Sequence, residues 1–244
     1  MIGTAGSGKS LLTATLTEWY KNNGTNCISV NLDPGVTELP YVADVDIRDR
    51  ISLTDIMDTY KLGPNGALIL SCDLIATNLE SIIPDIEEHS PEYVIIDTPG
   101  QIEQFVYRNS GPYVVNNIKF DERASVFLFD GAILSSPSNF LSISLLSSSL
   151  QLRLGITQIP VLTKCDLIES KWKEIISWSS NASILEEALH KEKTSSMEYL
   201  LSKGILQNLT KSGSAKEIIP YSAITQQGLV ELEAIFSRIF GGDE

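Results

Sequence analysis

The sequence Gly3-Thr-Ala-Gly-Ser-Gly-Lys-Ser10, near the start of the 244-residue chain, decides the fold. It matches the phosphate-loop pattern G-x-x-x-x-G-K-[ST], in which glycines let successive backbone N–H groups converge on a phosphate. The lysine supplies charge for the terminal phosphates, the serine hydroxyl can ligate Mg²⁺, and a helix that follows directs its N-terminal dipole at the same anion. A glycine-rich turn that only caps a helix is disfavoured, because all four fixed positions match. The predicted binding residues are Gly3, Gly6, Ser7, Gly8, Lys9 and Ser10.

Almost nothing precedes this loop, although a buried strand normally does. Only Met1 and Ile2 stand before Gly3. A central strand contributes several kcal/mol of apolar burial, so its loss is expected to be severely destabilising. We therefore expect the native start to lie upstream of Met1, and a chain that begins further upstream to melt at a higher temperature.

The composition excludes several classes of function. The chain has 18 basic and 31 acidic residues and a net charge of −13, which disfavours direct binding to nucleic acid or to an anionic membrane. Three scattered cysteines are expected to be small buried residues, and two unclustered histidines make a zinc site improbable. No apolar run approaches the roughly 18 residues of a membrane span. A chain that begins with its phosphate loop leaves no room for a signal peptide, so we expect a soluble cytoplasmic protein.

Strand-like and helix-like segments alternate along the chain. Short continuous apolar runs indicate buried parallel strands, and helical spacing of apolar residues indicates amphipathic helices. The predicted fold is a single α/β domain over 1–244, with a doubly wound, mostly parallel sheet of the P-loop NTPase type. The polar segment 170–212 is predicted to be a helical insertion or lid rather than core. Strands are expected at 26–32, 93–97, 124–130, 158–163 and 217–221, and helices at 10–23, 53–60, 67–88, 138–153 and 229–239.

A second candidate element, Asp97-Thr-Pro-Gly100, directly follows the predicted strand 93–97. An aspartate at that place is suited to hold Mg²⁺ or its water ligands, and the backbone N–H of Gly100 can approach a γ-phosphate. Alone, the sequence would be an ordinary turn. Because it follows an apolar strand downstream of a phosphate loop, it indicates a nucleotide site. Asp33, after the predicted strand 26–32, is expected at the same edge of the sheet.

A third element, Thr163-Lys-Cys-Asp166, is the candidate for reading the base. The carboxylate of Asp166 can accept from the N1–H and the exocyclic amine of guanine, whereas adenine offers no matching pair of donors. The aliphatic stem of Lys164 can lie along the base plane. Thr163 stands where asparagine is commoner, and a charged turn is the default interpretation of T-K-x-D alone. Two nucleotide motifs upstream make guanine binding the favoured one. A backbone N–H near Ser222-Ala223 is expected to reach the guanine O6.

These motifs, in this order, resemble those of a G-protein, and two further features narrow the resemblance. Asp33 lies in Asn31-Leu-Asp-Pro-Gly35, where an ordinary small G-protein has a switch threonine. Gly63-Pro-Asn65 stands between that turn and Asp97. Each short sequence is nonspecific alone, but their order is not. The chain therefore resembles the GPN-loop GTPases over essentially its whole length, least across 170–212.

The resemblance implies a constitutive homodimer that hydrolyses GTP to GDP and phosphate with Mg²⁺. Asn65 would act in trans, near the γ-phosphate or the attacking water of the other protomer. Asp33, Gln101 and Glu103 would orient or polarise that water in cis. Eukaryotic members are linked to assembly and nuclear import of RNA polymerase, so a client protein or assembly machinery is a further expected partner. The implied metal ligands are Ser10, Asp33 and Asp97.

Three alternatives share part of this pattern. A dimeric ATPase of the partitioning type would carry an extra lysine early in the phosphate loop, where this chain has Thr4 and Ala5. A scaffold that binds GTP and hydrolyses it slowly or not at all fits the same motifs. A nucleoside or metabolite kinase shares the phosphate loop but has no use for T-K-x-D. Glu103 also fits a solvated helix start, and Asn65 an ordinary turn.

Overall fold

The computed structural model describes residues 1–118, 120–192, 195–213 and 217–241. These residues group into two compact units, Met1–Asp121 and Glu122–Glu244. Each unit contains parallel strands with helices packed beside them. This architecture confirms the predicted α/β class, whereas a single domain over 1–244 stays a prediction.

The first unit alternates strands and helices. Its elements are β1 (Ile2–Gly3), α1 (Lys9–Asn22), β2 (Cys27–Asn31), β3 (Val45–Asp46), α2 (Leu53–Tyr60), α3 (Pro64–Glu88), β4 (Tyr93–Asp97), α4 (Ile102–Phe105) and α5 (Ser110–Asn117). β2 lies between β3 and β4 and pairs with both in parallel. All five residues of β2 are buried, as expected for a central strand of a parallel sheet.

The register of β2 and β4 positions the candidate site. Asn31 pairs with Asp97 at the carboxyl ends of the two strands, so the turns that follow them leave the sheet at the same edge. β1 is held beside this edge, because the Thr98 hydroxyl donates to the Met1 carbonyl at 2.7 Å. The carboxyl ends of parallel strands are where such sheets bind ligands, and the phosphate loop follows β1 there.

α3 begins earlier than predicted, because Gly63-Pro-Asn65 forms its start rather than a separate loop. Gly63 is the N-cap and Pro64 the first helical residue, where a missing N–H and a fixed φ suit a helix start. By length and apolar composition α3 could cross a membrane. From the sequence, no segment was expected to be long and apolar enough to do so. One such helix is weak evidence, since core helices of soluble proteins pass the same test. Its buried residues are Ala67, Ser71, Cys72, Ile75, Leu79, Ile82 and Ile86.

The second unit repeats the alternation. Its elements are β5 (Ala124–Asp130), α6 (Pro137–Leu154), β6 (Thr157–Thr163), α7 (Lys171–Ser180), α8 (Ala182–Lys191), α9 (Ser196–Lys211), β7 (Ile219–Pro220) and α10 (Leu229–Phe240). β6 lies between β5 and β7 and pairs with both in parallel. Asp130 therefore pairs with Thr163, and both side chains stand at the carboxyl edge of this unit's strands.

The polar segment 170–212 contributes more to the core than the sequence indicates. It forms α7, α8 and α9, and Trp178 of α7 packs edge-on against Phe140 of α6 at a centroid distance of 5.8 Å. The segment is helical and one face of its helices is buried, while its role as an insertion or lid stays a prediction. The buried residues of these three helices are Ile175, Trp178, Leu185, Leu189 and Leu206.

Most predicted elements are confirmed, with shifted ends. The strands at 93–97 and 124–130 match within their bounds, and the strand predicted at 217–221 is reduced to β7. β3, α4 and α5 were not predicted from the sequence. The cysteines are buried and free, as predicted. Burial raises the pKa of Cys27 and Cys72 to about 12, so these thiols are poor nucleophiles.

Candidate functional site

The phosphate loop is a turn that runs directly into α1. The Ser7 N–H donates to the Thr4 carbonyl at 3.1 Å, and Gly8 precedes the helix, which begins at Lys9. Gly6 and Gly8 have φ values of 75° and 95°, a left-handed conformation that costs other residues roughly 1–2 kcal/mol. Glycine at these positions lets the loop turn into the helix N-terminus, where N–H groups attract an anion.

Lys9 is a buried cation inside the loop, with 6% of its surface exposed. Its ammonium group donates to the carbonyl oxygens of Gly3 and Thr4, at 3.0 Å each. Burial lowers the pKa of Lys9, and the negative charges of Asp97 and Asp33 oppose that change. A phosphate in the loop would stabilise the charged ammonium further, because a nearby opposite charge favours the ionised form.

Asp97, 1% exposed, has one carboxylate oxygen with a partner and one without. The Tyr41 hydroxyl donates to Oδ2 at 3.2 Å. Oδ1 is buried and has no hydrogen-bond partner among the described residues. Burial raises the pKa of Asp97, and the nearby Ser10 hydroxyl, the Met1 ammonium, the Lys9 charge and the Tyr41 hydroxyl offset this rise only in part. A cation beside Oδ1 would therefore meet an unsatisfied acceptor.

This donor set fits Mg²⁺. The ion prefers oxygen ligands and usually keeps several waters, with only one or two protein carboxylates and the substrate phosphates completing its shell. Asp97 and the Ser10 hydroxyl supply such oxygens. The described residues contain no group of three or more His, Cys, Asp or Glu that could hold a metal alone. These residues suit an ion that takes its remaining ligands from a bound phosphate and from water.

Asp33 links the turn after β2 to the turn after β4. Its Oδ1 accepts from the Gly35 N–H at 2.9 Å, and its Oδ2 accepts from the Gly100 N–H at 3.4 Å. A Cβ added to Gly100 would lie 3.6 Å from the Ala5 Cα, so this turn packs against the phosphate loop. The cavity between them has a volume of about 350 Å³. It is lined by Ala5, Gly6, Gly8, Lys9, Ser10, Leu11, Asp33, Pro40, Thr98 and Gly100.

Three predicted catalytic residues make no hydrogen bond to this loop in the described part of the chain. Gln101 caps α4, and its side-chain oxygen accepts from the amide of Gln104. Glu103 is exposed in the first turn of α4. Asn65 is exposed in the first turn of α3. Their catalytic roles stay predictions, as does the role of Asp33 as a metal ligand.

The residues that hold the loop between β2 and β3 carry no motif and were not predicted from the sequence. Arg48 pairs with Asp46 at 2.6 Å and also donates to the carbonyls of Val36 and Thr37. The Asn31 amide donates to the same carboxylate at 2.9 Å. Burial raises the pKa of Asp46, but the hydrogen bonds from Arg48 and Asn31 outweigh it, so the net pKa is lowered. Tyr41, on this loop, was missed too, and no local pattern signals it.

In the second unit, the two predicted base-reading segments lie side by side. The Ser222 hydroxyl donates to Asp166 Oδ1 at 2.6 Å, and the Cys165 N–H donates to the Tyr221 carbonyl at 3.3 Å. Asp166 is exposed, so its other oxygen can accept from a ligand. Ala223 directly follows Ser222 and is half-buried.

Lys164 has a defined position in the same unit. Its φ is 60°, a left-handed conformation uncommon for a residue with a side chain. Its ammonium group donates to Asp130 Oδ2 at 2.7 Å, and Asp130 Oδ1 accepts from the Ala132 N–H at 3.0 Å. Thr163, which precedes it, is buried at the end of β6. Asp130 was not predicted as a partner of Lys164.

Comparison with known proteins places this chain among named relatives. The matching family model is described as a conserved hypothetical ATP binding protein and covers residues 1–241. The GPN-loop GTPase PAB0955 of Pyrococcus abyssi is 32% identical over 238 residues, covering 96% of this chain and 93% of that protein. GPN-loop GTPase 1 of Schizosaccharomyces pombe is 29% identical, covering 98% of this chain and 68% of that protein.

A solved structure gives the same result. The apo form of PAB0955 from Pyrococcus abyssi, titled a GTPase, superposes with a TM-score of 0.87 at 30% identity and covers 99% of this chain and 96% of that one. GPN-loop GTPase 1 of Saccharomyces cerevisiae is 31% identical over 216 residues, but this chain spans only 56% of its length. The similarity to the archaeal protein therefore extends over nearly the whole of both chains.

Proposed function

Because the chain belongs to the GPN-loop GTPases, we propose that it hydrolyses GTP to GDP and phosphate in a Mg²⁺-dependent homodimer. One observation carries this proposal: a single cavity of the first unit gathers Lys9, Ser10, Asp33 and Gly100 around the phosphate loop. Phosphoryl transfer requires mainly positioning and charge neutralisation, and these groups supply a cation, a hydroxyl, a carboxylate and a backbone donor.

Each group has a distinct role in the proposed reaction. Water attacks the γ-phosphorus, the bond from that phosphorus to the bridging oxygen of GDP breaks, and the proton leaves with inorganic phosphate. Lys9 and the loop N–H groups bind the phosphates, and the Gly100 N–H detects the γ-phosphate. Asp33 and Gln101 orient the water, with Glu103 as a further candidate. Ser10 and Asp97 would hold Mg²⁺, which would offset negative charge on the β- and γ-phosphates.

Asp166 supports guanine as the base, although the matching family model is described by ATP binding. The carboxylate is oriented by Ser222 at 2.6 Å, and a guanine edge supplies the two donors that it can accept. The test measures hydrolysis of GTP and ATP with Mg²⁺ and with EDTA. Turnover of ATP as fast as GTP would refute the guanine assignment, and unchanged turnover in EDTA would refute the metal.

The proposed role of Asn65 in trans requires a homodimer. This side chain is exposed at the start of α3 and is therefore available to a second copy of the chain. We expect light scattering to give about twice the 26.8 kDa chain mass, and Asn65→Ala to lower turnover without dissociating the dimer. A monomer at all protein and nucleotide concentrations would refute the role of Asn65 in trans.

A GTP-dependent scaffold with little hydrolysis is a second candidate. It is favoured by the hydrogen bond that the Gln104 amide donates to the side-chain oxygen of Gln101, because that oxygen is then not free to orient the attacking water. Single-turnover rates separate the two functions, since the enzyme requires Gln101→Ala to be slower than wild type and the scaffold requires equal rates. In either case we propose a cytoplasmic switch or assembly factor whose shape follows its nucleotide and that acts on a client protein, without direct binding to nucleic acid or membrane.

A further inference from the structure

The loop between β2 and β3 places one side chain in the proposed metal site. The Tyr41 hydroxyl donates to Asp97 Oδ2 at 3.2 Å, across 56 residues of sequence. The next residue, Val42, is 92% exposed, whereas Tyr41 is half-buried. The tyrosine side chain is therefore turned inward, and its hydroxyl is directed at the carboxylate.

We propose that Tyr41 is a positioning residue for Mg²⁺, because its hydroxyl occupies one oxygen of Asp97 and leaves the other directed at the ion. The inference rests on the proposed function. Asp97 Oδ1 is buried and lacks a hydrogen-bond partner among the described residues, while Oδ2 is taken by the phenol. A second donor of this kind fixes the rotation of a carboxylate, and such outer-shell partners typically alter metal affinity 10–100-fold.

The loop is fixed to the sheet on both sides of Tyr41. On one side, Arg48 donates to the carbonyls of Val36 and Thr37 at 3.2 and 3.3 Å. On the other side, the Ser29 hydroxyl donates to the Val42 carbonyl at 3.4 Å. Ser29 belongs to β2, which pairs with the strand that carries Asp97. The loop that carries Tyr41 is therefore attached to β2, and Asp97 lies on β4, the strand that pairs with β2.

Ser29 also anchors the loop through a carboxylate. Its N–H donates to Asp44 Oδ2 at 2.8 Å, and the single proton of its hydroxyl is shared between that oxygen, at 3.0 Å, and the Val42 carbonyl. Lys21 pairs with the other oxygen of that aspartate at 3.0 Å. Such contacts restrict the loop before any ligand is present. Tyr41 is thus preorganised, which is what a group that orients a metal ligand requires.

The test compares the Mg²⁺ dependence of GDP binding in wild type and Tyr41→Phe. Calorimetry gives the GDP dissociation constant in EDTA and the Mg²⁺ concentration at half-saturation. We expect Tyr41→Phe to raise that Mg²⁺ concentration about 10-fold and to leave the EDTA constant within about twofold. Tyr113→Phe, an exposed tyrosine of α5, is the matched control and should change neither value.

The double variant Tyr41→Phe/Asp97→Asn separates positioning from a general structural effect. If Tyr41 acts through Asp97, its substitution has no further effect on Mg²⁺ once the carboxylate is gone. An unchanged Mg²⁺ requirement in Tyr41→Phe would overturn the inference, and a lower requirement would mean that the hydroxyl competes with the ion. If Tyr41→Phe does not fold, Ser29→Ala, which releases the Val42 anchor, must raise the Mg²⁺ requirement. Wild type that binds no GDP would refute the proposed function instead.

Discussion

Asp166→Asn tests which base the chain reads. The Ser222 hydroxyl donates to Asp166 Oδ1 at 2.6 Å. In the variant it would donate to the amide oxygen, so that the amide NH₂ takes the place of Oδ2. Two donors of guanine would then face a donor instead of a carboxylate. The variant therefore removes an attraction and adds a repulsion at the same atom.

The expected loss follows from the number and the setting of these bonds. Hydrogen bonds to a charged group contribute about 1.5–3 kcal/mol each. Asp166 is exposed, so water competes and the lower figure applies to both. The sum is about 3 kcal/mol, which corresponds to about a hundredfold weaker binding of GTP. ATP makes neither bond, so its affinity should stay within about twofold.

Calorimetry with a non-hydrolysable GTP analogue, the ATP analogue and xanthosine triphosphate measures these effects. Xanthine carries a carbonyl in place of the exocyclic amine, so the new amide donor should partly restore its binding. Asp58→Asn, an exposed aspartate of α2, is the matched control. A loss of GTP affinity below threefold, or a parallel loss for ATP, would refute the role of Asp166 in reading guanine.

Three predictions concern stability. Asp46 has a lowered pKa in the folded chain, so the charged carboxylate should stabilise the fold above the ordinary pKa of about 3.9. That stabilisation should disappear as the pH falls through the lower pKa of the folded state. Between pH 6 and pH 3, the free energy of urea unfolding should therefore decrease less in Asp46→Asn than in wild type. Gly228→Ala should unfold the second unit or abolish soluble expression, because at φ 80° its Cβ would overlap the Pro220 carbonyl, whereas Gly24→Ala, at φ 82° in open space, should cost only about 1–2 kcal/mol. Ile75→Ala, at a fully buried position of α3, should cost about 2–5 kcal/mol by urea unfolding, and an equal Tm for the two proteins would contradict the packing.

The sequence predicts best those elements whose burial can be inferred from a few consecutive residues. β4 and β5 are continuous apolar runs between turn residues, and both were predicted within their bounds. β3 has only two residues, Val45 and Asp46, and exists because Val45 pairs with Val30 of β2. α5 contains glycine, proline and two asparagines, which are poor helix formers. Such elements depend on tertiary contacts that no local window contains.

The candidate site divides in the same way. The phosphate loop and Asp97-to-Gly100 were predictable, because their chemistry lies within a few consecutive residues. Tyr41 and Asp130 were not, since their partners lie 56 and 34 residues away along the chain. The sequence also allows an ordinary turn at Asn65 before a helix at 67–88, and the structure makes Asn65 part of the first turn of that helix. A proline at a helix start and one in a turn require the same φ, so the pattern alone could not separate them.

The charges of the first unit explain why phosphate and metal should bind together. Burial acts on Lys9 and on Asp97 in the same sense, lowering one pKa and raising the other, so each is driven towards its neutral form. Their mutual attraction opposes that tendency, as do the charge of Asp33 near Lys9 and the Ser10 hydroxyl and Met1 ammonium near Asp97. A phosphate alone would stabilise Lys9 but repel Asp97 and Asp33, and a divalent cation alone would do the reverse. Because neither ligand suits the whole cluster, a phosphate that arrives with its cation would satisfy both charges at once, and in the proposed arrangement Tyr41 would keep one oxygen of Asp97 directed at that cation.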